Sequence, residues 1–299
     1  MSRVIRCGVA QMGGIDLAEP RAAVVARMLA LLDQAYRQQV QFLVFPELAL
    51  TTFFPRYWYA DLEDADRFFE RDMPGPATEP LFAAARRTGI AMSFGYAERS
   101  GPRRFNTALL ADGQGTIVGR YRKVHLPGHA DHRPELPFQH LEQRYFETGD
   151  SGFRTWPLLG AQIGLCICND RRWPETYRML ALRGAEIVAL GYNTPIPNTD
   201  YDEPAHLNMF HHLLSLQAGA YQNGVWVLAA AKCGREDGHQ LMGGSCIVAP
   251  TGEIVARTLN DGDALLVHDC DLAMNRLIRD HIFDFSKRRP QFYRDIAQG

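Results

Sequence analysis

Three side chains able to do acyl-transfer chemistry stand at expected strand or hairpin ends in this 299-residue chain. Glu47 closes QFLVFPE, Lys123 closes GRYRK, and Cys168 closes AQIGLCIC. Attack by a thiol needs a base to take its proton and a cation or N–H to hold the developing oxyanion. Glutamate, lysine and cysteine supply those roles without a histidine. Taken singly, each has a plainer reading: a carboxylate after a strand caps or faces water, a lysine within RYRK is solvated, and a cysteine in an apolar run is core. Directly after Cys168 come Asn169, Asp170, Arg171 and Arg172, then Trp-Pro-Glu. The adjacent guanidinium forks suit a carboxylate. A thiol at a strand end and near a helix start is expected to have a lowered pKa.

The elements that must hold these groups follow from periodicity and punctuation. Strands are expected at 4–12, 41–47, 90–98, 152–157, 161–168, 186–193, 225–232, 245–250, 253–257 and 264–271, and helices at 17–38, 76–88, 174–183 and 204–222. Segments 104–111 and 116–124 form a hairpin about Asp112-Gly113-Gln114-Gly115. Residues 51–71 read as a loop with a short helix, 125–151 as a long aperiodic segment, and 194–203 as a loop. Strands alternating with helices, and no internal repeat or linker, make residues 1–299 one α/β domain. The many strands without an intervening helix fit two facing sheets with helices outside. The tail 272–299 reads as a helix followed by a basic aromatic arm that packs on a neighbouring subunit.

A net charge of −2 gives no electrostatic attraction to nucleic acid or to an anionic membrane. No signal-peptide core and no run of about 18 apolar residues is present, so a soluble, cytoplasmic protein is expected. Six cysteines in a chain of this length read as reduced thiols rather than a disulfide framework. His125, His129, His132 and His140 have the spacing of neither a zinc finger nor a helical HExxH site, so no metal is assigned. His125 and His140 are read as hydrogen-bonding buttresses of the site. Of His211 and His212, one is expected packed and one exposed near the pocket mouth. No GxSxG elbow points to a serine nucleophile.

FPELALTT around Glu47, GRYRKVHLPG around Lys123 and CICNDRRWPE around Cys168 resemble the three signature blocks of the nitrilase superfamily. Further blocks, among them RRFNTALL, PFQHLEQRYFETGD and HHLLSLQAGAYQNG, extend the resemblance over nearly the whole chain, toward its D-carbamoylase branch. The resemblance implies a four-layer α-β-β-α sandwich, homodimers or homotetramers, and no metal or organic cofactor. It implies Glu47 as general base, Cys168 as nucleophile, Lys123 as oxyanion stabiliser and Glu142 as the additional glutamate that positions substrate or water. It also implies Arg171 and Arg172 on a substrate carboxylate, with Asn193 lining the same pocket; Asn169, His125 and His140 are taken as further substrate-binding candidates. The implied reaction is hydrolysis of N-carbamoyl-D-amino acids to amino acid, carbon dioxide and ammonia. Rival substrates are β-ureido acids, carbamoylputrescine and simple amides, and a silent partner-binding relative is the rival from outside enzymology. The arginine pair favours a carboxylate over an amine. The acidic segment 194–204 departs from the branch pattern, which places side-chain preference there.

Overall fold

The computed structural model describes residues 3–196 and 203–298. In chain order the first half contains β1 (Val4–Gly13), α1 (Arg21–Arg37), β2 (Phe42–Val44), β3 (Phe69–Glu70), α2 (Glu79–Thr88), β4 (Ala91–Ser100), β5 (Arg103–Ala111), β6 (Ile117–Arg122) and one helical turn, α3 (Glu142–Tyr145). The second half contains β7 (Thr155–Leu158), β8 (Ala161–Ile167), α4 (Pro174–Leu182), β9 (Ile187–Tyr192), β10 (Pro195–Ile196), α5 (Ala205–Asn223), β11 (Trp226–Glu236), β12 (His239–Met242), β13 (Cys246–Val248), β14 (Ile254–Arg257), β15 (Ala264–Asp271), α6 (Ala273–His281) and α7 (Arg294–Gln298).

Two mixed sheets face each other. One runs β6-β5-β4-β2-β1-β15, the other β7-β8-β9-β11-β13-β14. They join where Met12 and Gly13 of β1 pair with Lys232 and Cys233 of β11, making one large, nearly closed sheet. Alternation along the strands sorts side chains between layers. Phe42 and Val44 point into the core between the sheets, with Leu165, Ile167, Leu228 and Ala230. Leu43 and Phe45 point outward beneath α1 and α2, against Met28, Leu32 and Phe82. On the opposite flank, Tyr177 and Leu180 of α4 and Leu216 and Ala220 of α5 cover the second sheet. This is the α-β-β-α sandwich that the strand count and the resemblance imply.

The parallel strands β2, β8 and β9 are covered on both faces, and all but Gln162 and Gly191 are buried in them, as their continuous apolar runs require. Three local expectations change. The 51–71 segment holds two short 3₁₀ turns, Phe54–Arg56 and Leu62–Phe68, with little else regular but β3. The strand expected at 152–157 begins only at Thr155. The strand expected at 225–232 continues to Glu236, turns at Asp237-Gly238 and returns as β12, which also pairs with β10 inside the expected 194–203 loop. The polar CGREDGHQ stretch hides this ribbon, which is a strand by pairing rather than by alternation. The acidic segment's 197–202 lies outside the described residues.

All six cysteines are buried and free of disulfides. Among the described residues no helix is long and apolar enough to cross a membrane. The arm lies against its own chain at its root, where Phe285 sits under the Arg178 guanidinium at 4.5 Å and Phe283 meets Tyr221 edge-on at 5.0 Å. Farther out, Phe292 and Ile296 are exposed.

Candidate active site

The carboxyl ends of the parallel strands β2, β8 and β9 and the end of β6 converge at one end of the sandwich, where open α/β sheets place ligands. Glu47 is not a strand residue as expected. β2 ends at Val44, Pro46 has no N–H for a ladder, and Glu47 enters a turn in which Leu48 has φ +44°. Close approach of two neighbouring strands fixes that turn. A Cβ on Gly95 would lie 2.6 Å from Glu47 Cα, and one on Gly191 2.4 Å from Glu47 N. Asn193, directly after β9, donates its side-chain amide to the Glu47 carbonyl at 2.9 Å.

Cys168 follows β8 and opens a 3₁₀ turn, Cys168–Arg172. Its φ is +46°, a left-handed conformation uncommon for a side chain with a Cβ. Such strain persists where the surroundings over-determine it, and here they do. Asp170 accepts from the Ile167 amide at 2.9 Å and from the Tyr121 hydroxyl at 2.8 Å. Its other oxygen takes the His125 amide at 3.0 Å and faces His125 Nδ1 at 2.8 Å. Arg171 donates to the Cys168 carbonyl at 2.6 Å and reaches Sγ at 3.5 Å. The bend throws the thiol out of the sheet, where it donates to the Asn193 carbonyl at 3.3 Å.

The three carried side chains and Glu142 come together in a fully buried cluster. Lys123 Nζ donates to Glu47 Oε1 at 2.9 Å and to both oxygens of Glu142, at 2.8 and 2.7 Å. Glu47 Oε2 accepts from the Asn193 amide at 3.0 Å, so Glu47 and the thiol meet on the two sides of one residue. His140 Nε2 lies 3.0 Å from Glu142 Oε1. Burial alone would favour neutral lysine, but the charges of Glu142 and Glu47 outweigh it and raise the Lys123 pKa. Burial would also raise Glu142, and Lys123 and His140 reverse that and hold its carboxyl below the ordinary value. For Cys168 the balance goes the other way. Burial and then the Glu47 charge push the thiol up, and Lys123 and Arg171 offset this only in part. The expected lowering at a helix start is thereby corrected: the turn is only five residues long, and burial with the Glu47 charge prevails, so Cys168 rests as a thiol.

A narrow pocket opens over Sγ between His140, Asn169, Arg171, Arg172, Asn193 and Thr194. Its two arginines differ. Arg171 is buried and directed into the protein, with Nε on His212 Nδ1 at 3.0 Å and Nη2 on Thr194 Oγ1 at 2.9 Å. Arg172 is a quarter exposed and meets Glu203 at 3.3 Å. Asn169 donates its side-chain amide to the His125 carbonyl at 3.2 Å. His125 stacks on Trp173 at 4.9 Å and is turned to Asp170, bracing the elbow. His212 is the packed member of its pair and His211 the more exposed one. Burial and the neighbouring Arg171 lower the His212 pKa well below its ordinary value.

Sequence reasoning passed over Asn106, Asp170 and Glu203. Asn106, buried within β5, donates to Glu47 Oε1 at 2.8 Å and approaches Glu142 Oε2 at 3.4 Å. Its signal was an amide inside an otherwise apolar strand end, FNTALL, a position that demands a partner when buried.

The carbon-nitrogen hydrolase family model matches residues 6–280, and the chain belongs to that family, the nitrilase superfamily. Among its relatives, a nitrilase of Pyrococcus abyssi is 30% identical over 88% of this chain and 90% of its own. An N-carbamoylputrescine amidase of Arabidopsis thaliana is likewise 30% identical, over 90% of this chain and 88% of its own. A solved structure of an amidase from Nesterenkonia sp. AN1 superposes with a TM-score of 0.74 at 26% identity, covering 98% of this chain and 97% of that one. It is a glutamate-to-glutamine variant with the acetamide moiety of fluoroacetamide added covalently at the active-site cysteine.

Proposed function

We propose that this hydrolase is an amidohydrolase that removes a terminal carbamoyl group, acting on N-carbamoyl amino acids through a covalent intermediate on Cys168. The observation that carries the reading is the left-handed Cys168 elbow set beside a lysine bound by two buried carboxylates. Glu47 takes the thiol proton as Sγ bonds to the ureido carbon. The carbonyl electrons move onto oxygen, where Lys123 and the Asn169 peptide N–H are the donors. Lys123 can turn one proton to the oxyanion while Glu142 keeps it charged and in place. As the tetrahedral adduct collapses, the C–N bond breaks and the leaving nitrogen takes the proton from Glu47. Water, deprotonated by the same glutamate, then cleaves the acyl–sulfur bond, and the carbamate product loses carbon dioxide to leave the free amine. The adduct at the active-site cysteine of the Nesterenkonia amidase supports a nucleophilic cysteine, though it keeps its amide and is not an acyl intermediate.

Arg172 at the pocket edge supports a substrate carboxylate. The D series rests on the sequence resemblance. A second reading, an amine-tailed carbamoyl substrate, is favoured by the Glu203 carboxylate lying on Arg172 and by the N-carbamoylputrescine amidase relative. The test is ammonia release from matched N-carbamoyl-D- and N-carbamoyl-L-amino acids, N-carbamoylputrescine and a plain amide, with Cys168→Ala as control. Turnover of the D acids, abolished in the variant, is expected. Turnover of the amine alone would replace the acid reading with the second one.

A further inference from the structure

Behind Arg172, one acidic side chain takes no part in the chemistry above. Glu203 is only 6% exposed at its side chain, yet three polar groups converge on it. Oε2 accepts from Arg172 Nη2 at 3.3 Å and from the amide of the buried Asn208 at 2.5 Å, while Oε1 is paired with His211 Nδ1. Burial would raise its pKa, and His211 and Arg172 hold it below the ordinary carboxylate value, so it is charged at neutral pH. Arg171 is committed to the elbow through Cys168, His212 and Thr194. That leaves Arg172 as the guanidinium set toward a substrate's tail, and Arg172 already shares its charge with Glu203.

We propose that Glu203 is the specificity-determining residue of this pocket, setting which charge the substrate's tail carries. The inference rests on the reading that Arg172 meets that tail. A carboxylate arriving at Arg172 finds a cation correctly placed but already part-neutralised, so it binds with less energy than a lone arginine would give. An ammonium tail finds in Glu203 a counter-charge that Arg172 alone would repel. Glu203→Gln keeps an oxygen that accepts from Arg172, removes the charge and turns the atom facing His211 into a donor, so Glu203→Asp, which keeps the charge, is needed beside it to separate charge from orientation.

The experiment measures kcat/KM for wild type, Glu203→Gln and Glu203→Asp on amides of matched length with carboxylate, neutral and ammonium tails. The neutral compound serves as each enzyme's own reference. In Glu203→Gln the acid-to-neutral ratio should rise about 2- to 10-fold, the scale of a partly exposed charge pair, and the ammonium-to-neutral ratio should fall by a similar factor. Glu203→Asp keeps the charge and should keep the wild-type ratios. In an Arg172→Gln background the gain for the acid should vanish, because the cycle isolates the pair. Unchanged ratios in Glu203→Gln, or an equal gain without Arg172, would overturn the proposal. Running the series as both ureido compounds and plain amides separates this failure from that of the carbamoyl reading. If only plain amides turn over, the carbamoyl reading falls while the ratios still decide the role of Glu203.

Discussion

Two buried clusters of charge lie near the same end of the sandwich, and they use the same residue types to opposite effect. In one, Lys123 sits between Glu47 and Glu142. In the other, Lys232 donates to Glu236 at 2.6 Å and to the Thr51 carbonyl at 2.9 Å. Glu236 also takes the amides of Phe53 at 2.8 Å and Ile15 at 2.9 Å, and pairs with Arg56. Two carboxylates raise the Lys123 pKa despite burial. Lys232 has one carboxylate and Arg56 close by, and burial prevails, so its pKa falls. The first cluster lies beside a strained thiol and a pocket. The second ties the loop after Glu47 to the end of β11, with its lysine and both of its partners' side chains almost wholly buried. Buried charge alone therefore does not make a site. What marks the candidate site here is an excess of carboxylate that keeps a cation protonated near a strained thiol.

The sharpest way to break this comparison is to remove each lysine. Lys123→Ala deletes the proposed oxyanion donor and should lower kcat by about 100- to 1000-fold. Retention of more than a tenth of wild-type turnover would remove Lys123 from the chemistry. Lys232→Met leaves Glu236 buried with one cation fewer, at a cost on the order of 3–5 kcal/mol in stability. The molecules that remain folded should keep kcat within about tenfold, a change of about 1.4 kcal/mol in the barrier. Denaturant melts and active-site-normalised turnover check both halves. A kcat loss as deep as that of Lys123→Ala would make the two clusters one machine.

A smaller effect concerns acid. The Glu142 pKa is lowered from 4.5, so the stability it contributes is present above that value and is lost as pH falls through the depressed folded value. In Glu142→Gln this contribution is absent, and the decline of melting temperature on the acid side should be shallower than in the wild type. An acid limb of unchanged slope would mean that Lys123 does not hold Glu142 charged.

The sequence made the layers legible because apolar alternation assigns each strand its faces, and Phe42, Leu43, Val44 and Phe45 divide between the two cores accordingly. It made the Glu47, Lys123 and Cys168 contexts legible because each closes a strand or hairpin and the three blocks FPELALTT, GRYRKVHLPG and CICNDRRWPE occur together in this order. Other features depend on partners remote in sequence. Asn106 is a site residue only because β5 lies beside the turn of Glu47, fifty-nine residues away. Asp170 reads as one more polar residue until Tyr121 and His125 are seen to close on it. The direction of the Cys168 shift was misread because a turn start argues for thiolate, whereas dryness and a neighbouring carboxylate argue more strongly for thiol. The β10–β12 ribbon escaped because register, not hydrophobicity, holds it.

The central claim is that Cys168 carries the acyl group. Rapid acid quench of the wild-type enzyme during turnover of an N-carbamoyl amino acid, followed by peptide mass mapping, tests it most directly. The proposed mechanism predicts one added acyl group on the Cys168 peptide, with the mass identifying which nitrogen left. Substrate turnover by Cys168→Ala, or an adduct on any other residue, would contradict it.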